Sequence, residues 1–118
     1  MSRRRLCGVD EIAEGAGRGF LFAAGDETVA IFVMRKDGAL AAYLNRCPHV
    51  GSPLDWRPDH FFDVTGAHLL CATHGALFRP ADGYCVHGPC AGKSLAAVPI
   101  AVEDGAIFLV DAGSGAPA

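Results

Sequence analysis

Two short stretches, Cys47-Pro48-His49 and Cys71-Ala72-Thr73-His74, decide how this chain is organised. The first offers a cysteine and a histidine in the pattern C-x-H, and the second offers the same pair as C-x-x-H. Thiolate sulfur and imidazole nitrogen are protein ligands that suit zinc and iron. The order along the chain is Cys, His, Cys, His, and the two stretches together predict a metal site.

A single zinc ion is the first candidate, because two cysteines and two histidines form a normal tetrahedral zinc site. In zinc fingers, however, both cysteines usually precede both histidines, and a helix carries the histidines. Here each loop is mixed, and no helical periodicity surrounds either loop. Two cysteines on one iron and two histidines on the other are the ligand set of a Rieske cluster.

Length and composition predict one compact domain. The chain has 118 residues, of which 51% are hydrophobic and 19% are charged, which fits a folded protein and argues against disorder. Ten Lys and Arg residues against 13 Asp and Glu residues give a formal net charge of −3. We therefore expect no nucleic-acid partner. We also expect no room on this chain for the mononuclear iron domain of a ring-hydroxylating oxygenase.

The amino-terminal sequence MSRRRLCGVDEIAE carries three arginines, Arg3 to Arg5, without the apolar segment that a signal peptide requires. No apolar run approaches the length of a membrane span. We interpret the arginines as a solvated terminus and predict a cytoplasmic protein without a membrane partner. The five cysteines, an odd number, are not the pattern of a disulfide framework.

Short hydrophobic segments separated by glycine- and proline-containing turns predict an all-β fold, a small antiparallel β-sandwich or barrel. Lys36-Asp37-Gly38 is a hairpin signal, and a single helical turn is expected within residues 9–15. The expected strands cover residues 19–23, 28–35, 39–45, 67–72, 76–79, 84–86, 95–102 and 106–111. The strand at 39–45 leads directly into Cys47, so that a rigid element positions the first loop.

The chain resembles the Rieske-type ferredoxins, which are small carriers of one [2Fe–2S] cluster. The resemblance rests on C-P-H at 47–49, C-A-T-H-G at 71–75 and Gly-Pro at 88–89, with weaker support from Asp82-Gly83 and the terminal hairpin. It covers most of the chain and implies a Rieske-like single domain over residues 1–118. A β base of approximately 1–45 and 91–118 would carry a cluster-binding subdomain of two loops at approximately 46–90.

The resemblance assigns four ligands to this cluster. Cys47 and Cys71 would hold one iron and His49 and His74 the other, with the outer histidine edges as the electron exit. A charge count supports the chemistry independently, because two ferric ions, two sulfides and two thiolates are neutral together. Reduction then leaves a single negative charge, so the potential lies above that of an all-cysteine cluster.

The residues near the ligands predict a reduction potential at the low end of the Rieske range. High-potential relatives in respiratory complexes carry a serine and a tyrosine that donate hydrogen bonds to cluster sulfurs, at positions matched here by Ala76 and Phe78. Those relatives also cross-link the two loops with a disulfide, where this chain has Ser52 and Thr73. Fewer donors stabilise the reduced cluster less.

The leading hypothesis is a one-electron carrier that passes electrons from a reductase to an oxygenase or reductase partner. On this hypothesis the chain is not an enzyme, has no catalytic residues and binds no small-molecule substrate. One alternative is a redox sensor or electron-transfer subunit of a larger enzyme complex, in which Cys85 and Cys90 would matter. A structural zinc protein is the third.

The remaining candidate residues have simpler structural interpretations. Cys85 and Cys90 could form a redox pair or alternative ligands, but small buried residues in a tight turn are the preferred interpretation. The aromatic cluster is expected to pack over the loops rather than to dock a partner. It comprises Trp56, Phe61 and Phe62. The other residues interpreted as structural are Cys7, His60, His68 and His87.

Overall fold

The computed structural model describes residues 3–24, 26–48, 54–55, 59–71, 75–88 and 90–110. Within these ranges the chain forms β-strands and one 3₁₀ turn, Val9–Glu11, and contains no α-helix. The all-β prediction is therefore confirmed. None of the described residues belongs to a helix long and apolar enough to cross a membrane. The strands are β1 (Arg3–Gly8), β2 (Gly17–Ala24), β3 (Glu27–Lys36), β4 (Ala39–Leu44), β5 (Leu69–Cys71), β6 (Ala76–Phe78), β7 (Cys85–His87), β8 (Ile100–Glu103) and β9 (Ala106–Val110).

The strands form three antiparallel sheets of three strands each. The order is β1-β9-β8 in the first sheet, β2-β3-β4 in the second and β5-β6-β7 in the third. The segment before β8 runs along β4, where Ala42 O accepts from Val98 N at 2.9 Å and Leu44 N donates to Ala96 O at 2.9 Å. This pairing joins the carboxyl-terminal part of the chain to the second sheet.

Asp-Gly pairs close two of the hairpins. Asp37 and Gly38 between β3 and β4 have φ angles of 54° and 80°, and Asp104 and Gly105 between β8 and β9 have φ angles of 52° and 75°. A two-residue turn with both φ angles positive matches the right-handed twist of the strands that it joins. Asp and Gly tolerate this conformation better than most residues. The first hairpin was predicted from Lys36-Asp37-Gly38, and a terminal hairpin was expected as well.

Packing on both faces of β3 explains why four successive residues, Ile31 to Met34, are all buried. Side chains of a strand alternate between the two faces of the sheet. Ile31 and Val33 pack in one hydrophobic cluster with Val98 and Ile107 near the first sheet. Phe32 and Met34 pack in a second cluster with residues of the third sheet. Both faces of β3 are therefore covered.

The arginines interpreted as a solvated terminus, Arg3 to Arg5, belong to β1, which pairs with β9. Because β9 lies between two strands, its backbone groups need hydrogen-bond partners on both sides. The side chains of Arg4 and Arg5 are nonetheless exposed, and a charged edge strand resists pairing with other chains. Cys7, opposite Ile107, is almost fully buried.

Phe61 connects the segment between the two motifs to the second sheet. Its ring stacks on Phe32 with a centroid distance of 4.2 Å and an interplanar angle of 11°. Gly17 on β2 leaves room for this ring, because a Cβ atom at Gly17 would lie 2.8 Å from Phe61 Cδ2. Phe62 bridges to Leu69. The packing interpretation is confirmed for Phe61 and Phe62, whereas Trp56 lies outside the described residues.

We expect Phe61→Ala to lower the free energy of unfolding by about 3–5 kcal/mol, because it removes a fully buried ring and leaves a cavity. Urea denaturation followed by circular dichroism measures the change. Val64→Ala is the control, because Val64 lies three residues away and is fully exposed, and its cost should stay within about 0.5 kcal/mol. A Phe61→Ala cost below about 1 kcal/mol would contradict the structural role of the stack.

Candidate metal centre

The first motif begins three residues after the end of β4, at Cys47. Asn45 stabilises the start of this motif through hydrogen bonds of both its backbone and its side chain. Its backbone N donates to Ala30 O at 2.9 Å, and its side-chain Oδ1 accepts from Leu54 N at 2.7 Å. Its Nδ2 donates to Asp55 Oδ1 at 3.1 Å. Asn45 thus ties residues 54–55, which follow the first motif, to the strand that precedes it.

The second motif begins on the last residue of β5, Cys71, which pairs with Ala76 at the start of β6. Gly75 N donates to Cys71 O at 2.9 Å, and Gly75 has a φ of 71°. Residues with positive φ are usually glycine because a Cβ atom is strained there. The strand pair therefore holds Cys71 and Gly75 close together.

A third segment, Gly88 to Lys93, packs against the start of β6. Gly88 has a φ of 101°, and a Cβ atom there would lie 2.7 Å from Ala76 Cα. The segment is then folded onto β7, because Cys85 N donates to Lys93 O at 2.8 Å and Gly92 N donates to Cys85 O at 3.2 Å. Lys93 N also donates to Cys90 O at 2.9 Å. These contacts place Cys90 beside Cys47 of the first motif.

Four of the five cysteines meet in one buried cluster. Cys47, Cys71, Cys85 and Cys90 are each at most 1% exposed and belong to the same hydrophobic cluster as Phe32 and Phe78. The sulfur atoms of Cys47 and Cys90 lie 3.9 Å apart. Sequence reasoning identified Cys90 as a small buried residue but missed this contact, because 43 residues separate the two cysteines and no motif links them.

The two predicted histidine ligands, His49 and His74, lie outside the described residues, as do Ser52 and Thr73. Of the other histidines, His60 and His68 are partly buried, and His87 is exposed at the end of β7. Among the residues that the structure describes, no group of three or more His, Cys, Asp and Glu side chains is arranged to hold a metal ion. The thiols of Cys47, Cys85 and Cys90 are thus not arranged to hold a metal ion by themselves.

Burial favours the protonated form of Cys90, the cysteine whose sulfur lies next to Cys47. Burial, followed by hydrogen bonds with Cys85 and Cys47, raises the pKa of the Cys90 thiol to about 12. Burial likewise raises the pKa of Tyr43 to about 12, and its hydroxyl donates to Pro80 O at 2.8 Å. Both groups are therefore neutral at physiological pH.

Comparison with protein families identifies the class to which this arrangement belongs. The Rieske [2Fe–2S] domain family matches residues 2–103, and the chain belongs to that family. Membership implies a Rieske-type [2Fe–2S] cluster and favours the iron–sulfur interpretation over the structural zinc site. The buried thiols of Cys47 and Cys71 fit the cysteine half of such a ligand set. Comparison with curated protein sequences gives no match.

The solved structures that the chain resembles include chains of oxygenase–ferredoxin systems. It is 22% identical, with a TM-score of 0.74, to a chain of the reduced complex between oxygenase and ferredoxin in carbazole 1,9a-dioxygenase, over 91% of this chain and 27% of that one. It is 20% identical, with a TM-score of 0.69, to the ferredoxin of carbazole 1,9a-dioxygenase from Nocardioides aromaticivorans IC177. The latter match covers 92% of this chain and 97% of that one. At these identities the likeness establishes the fold.

The structure extends the argument about potential. Ala76 and Phe78, at the positions of the hydroxyl donors of high-potential relatives, are both completely buried in the cluster that contains Cys47 and Cys71. Neither side chain can donate a hydrogen bond. Burial in an apolar environment also disfavours the additional negative charge of a reduced cluster.

We therefore expect a midpoint potential of about −150 mV or somewhat above, at the lower end of the Rieske range. The physical reason is that few donors compensate the charge added on reduction. Potentiometric titration of the cluster-loaded protein, followed by the visible absorbance, measures this value. A strongly positive potential would contradict the inference drawn from the missing donors at positions 76 and 78.

Proposed function

We propose that Cys47, His49, Cys71 and His74 hold one [2Fe–2S] cluster, with the cysteines on one iron and the histidines on the other. The family match and the alternating order of the ligands support this assignment. The burial of Cys47 and Cys71 in one cluster at the ends of two strand segments also supports it. When bound, the cluster supplies one-electron redox chemistry. The chain contributes two thiolates, two neutral imidazoles and an apolar shell.

On this basis the protein is a one-electron carrier that passes electrons from a reductase to an oxygenase or reductase partner. The observation that carries the proposal is the overlap with the ferredoxin of carbazole 1,9a-dioxygenase, over 92% of this chain and 97% of that one. A further structural relative is the ferredoxin–oxygenase system of the same dioxygenase, matched over 91% of both chains. We assign no catalytic residue and no small-molecule substrate to the chain.

We further propose the division into a base, approximately residues 1–45 and 91–118, and a cluster-binding subdomain at approximately 46–90. The separate third sheet, β5-β6-β7, supports this division because all its strands lie between residues 69 and 87. We also propose a cytoplasmic location. The odd number of cysteines supports it, since a reducing compartment keeps thiols unpaired.

Reductive titration tests the carrier function directly. We expect the cluster-loaded protein to take up one electron per chain reversibly, because a Rieske cluster has a single accessible reduction step. A reductase should reduce it, and an oxygenase should reoxidise it under oxygen. Two electrons per chain, or a colourless protein after reconstitution with iron and sulfide, would contradict the proposal. Size-exclusion chromatography under native conditions distinguishes a free carrier from a subunit of a larger complex.

The ligand assignment is tested by His74→Cys. We expect a changed visible and electron paramagnetic resonance spectrum and a lower potential, because a thiolate adds a negative charge where imidazole is neutral. His87→Cys is the matched control, because His87 is exposed on β7 and is not assigned as a ligand, and it should leave both readouts unchanged. An unaltered spectrum in His74→Cys would refute His74 as a ligand.

A further inference from the structure

The proposed function uses Cys47 and Cys71 but leaves Cys90 without a role. Cys90 is completely buried, and its sulfur lies 3.9 Å from that of Cys47. This separation is compatible with a sulfur–sulfur hydrogen bond, a weak contact in which one thiol donates its proton to the other sulfur. A side chain in this position would directly contact a sulfur atom of the cluster's ligand shell.

Contacts of the residues before and after Cys90 fix it in this position. On one side, Gly88 approaches Ala76 so closely that its Cβ atom would lie 2.7 Å from Ala76 Cα. On the other side, Cys90 O accepts from Lys93 N at 2.9 Å, and Lys93 O in turn accepts from Cys85 N at 2.8 Å. The turn that carries Cys90 is thus tied to β6 and to β7, so that the thiol is held at the loop of the first motif.

The direction of the hydrogen bond follows from the chemistry of the ligand. A cysteine that binds iron does so as a thiolate and has no proton to donate. In the contact between Cys47 and Cys90, only Cys90 can then be the donor. A second thiolate at this distance would place two negative charges side by side in an apolar environment, which is unfavourable. Nearby, Cys85 Sγ donates to His87 O at 3.2 Å.

We propose that the Cys90 thiol donates an S–H hydrogen bond to the ligand sulfur of Cys47 and raises the reduction potential of the cluster. The inference rests on the proposed assignment of Cys47 as a ligand. A donor to a ligand sulfur stabilises the reduced state more than the oxidised state, because reduction adds negative charge to the cluster and its sulfurs. Cys90 thereby compensates in part for the donors that Ala76 and Phe78 cannot supply. It is a positioning residue that acts through Cys47.

Potentiometry of single variants tests the proposal. We expect Cys90→Ala to lower the equilibrium constant for reduction about threefold to tenfold, tenfold being ~59 mV for one electron. Cys90→Ser keeps a donor and should lie closer to the wild-type potential than Cys90→Ala does. Cys7→Ala is the matched control, because Cys7 is equally buried but belongs to the other hydrophobic cluster. The Cys7→Ala potential should not change.

A second readout is independent of variant stability. Electron–nuclear double resonance of the reduced wild-type protein should show a proton coupling that disappears after exchange into D₂O, and Cys90→Ala should lack this coupling. Equal potentials in the wild type and Cys90→Ala overturn the proposal. If Cys90→Ala cannot hold the cluster, Cys90→Ser decides. Identical exchangeable couplings in the wild type and Cys90→Ser overturn the proposal, and a shifted coupling in Cys90→Ser supports it.

The same measurements distinguish a failure of the ligand assignment from a failure of the role proposed for Cys90. A wild-type protein without a Rieske spectrum refutes the ligand assignment, and the role of Cys90 is overturned with it. A normal Rieske spectrum with a potential that is insensitive to Cys90 refutes only the role of Cys90. A fall in potential in Cys7→Ala equal to that in Cys90→Ala shows a general effect of packing and also overturns the proposal.

Discussion

The stacking of Phe61 on Phe32 is the interaction on which the candidate metal centre depends. Each strand of the third sheet has only three residues, and a sheet of this size buries little apolar surface by itself. It is stabilised by packing on the face of β3 that presents Phe32 and Met34. The positions of the cysteines at the ends of these strands therefore depend on the packing of this interface.

A second connection acts at the far end of the third sheet. The Tyr43 hydroxyl donates to Pro80 O at 2.8 Å, and Leu95 N donates to Gly83 O at 2.9 Å. Gly83 has a φ of 75°, and a Cβ atom there would lie 2.9 Å from Tyr43 Cε1. The turn after β6 thus packs directly on β4, the same strand that leads into Cys47. The second sheet therefore anchors both Cys47, which follows β4, and the third sheet, which carries Cys71. This explains how cysteines of two separate motifs belong to one buried cluster.

The environment of the sulfur atoms combines two opposing electrostatic effects. Complete burial in an apolar cluster disfavours added negative charge and lowers the potential. Hydrogen bonds to the sulfurs favour it and raise the potential. Ala76 and Phe78 remove two possible donors, whereas Cys90 lies where a third could act. The potential of such a centre is therefore set by a few side chains in the loops and the turn around it.

Patterns that depend on neighbouring residues were predictable from the sequence. The two motifs, the Asp-Gly hairpins and the hydrophobic run of β3 led to the all-β class and to the family, which the comparison confirmed. The backbone pairing of β1 was not predictable, because Arg3 to Arg5 have no strand pattern of their own. Those residues form a strand because β9, about a hundred positions later, would otherwise have one unpaired edge.

The sequence by itself determined the chemistry of this protein: which residue types are offered as ligands, in which order, and which hydroxyl donors are missing at positions 76 and 78. Only the tertiary structure decided which side chains surround that chemistry. The contact between Cys47 and Cys90 joins residues 43 positions apart. It exists because Gly88 packs on Ala76 and a turn folds back on β7. Ligand identity is a property of single residues, whereas proximity depends on the packing of several elements at once.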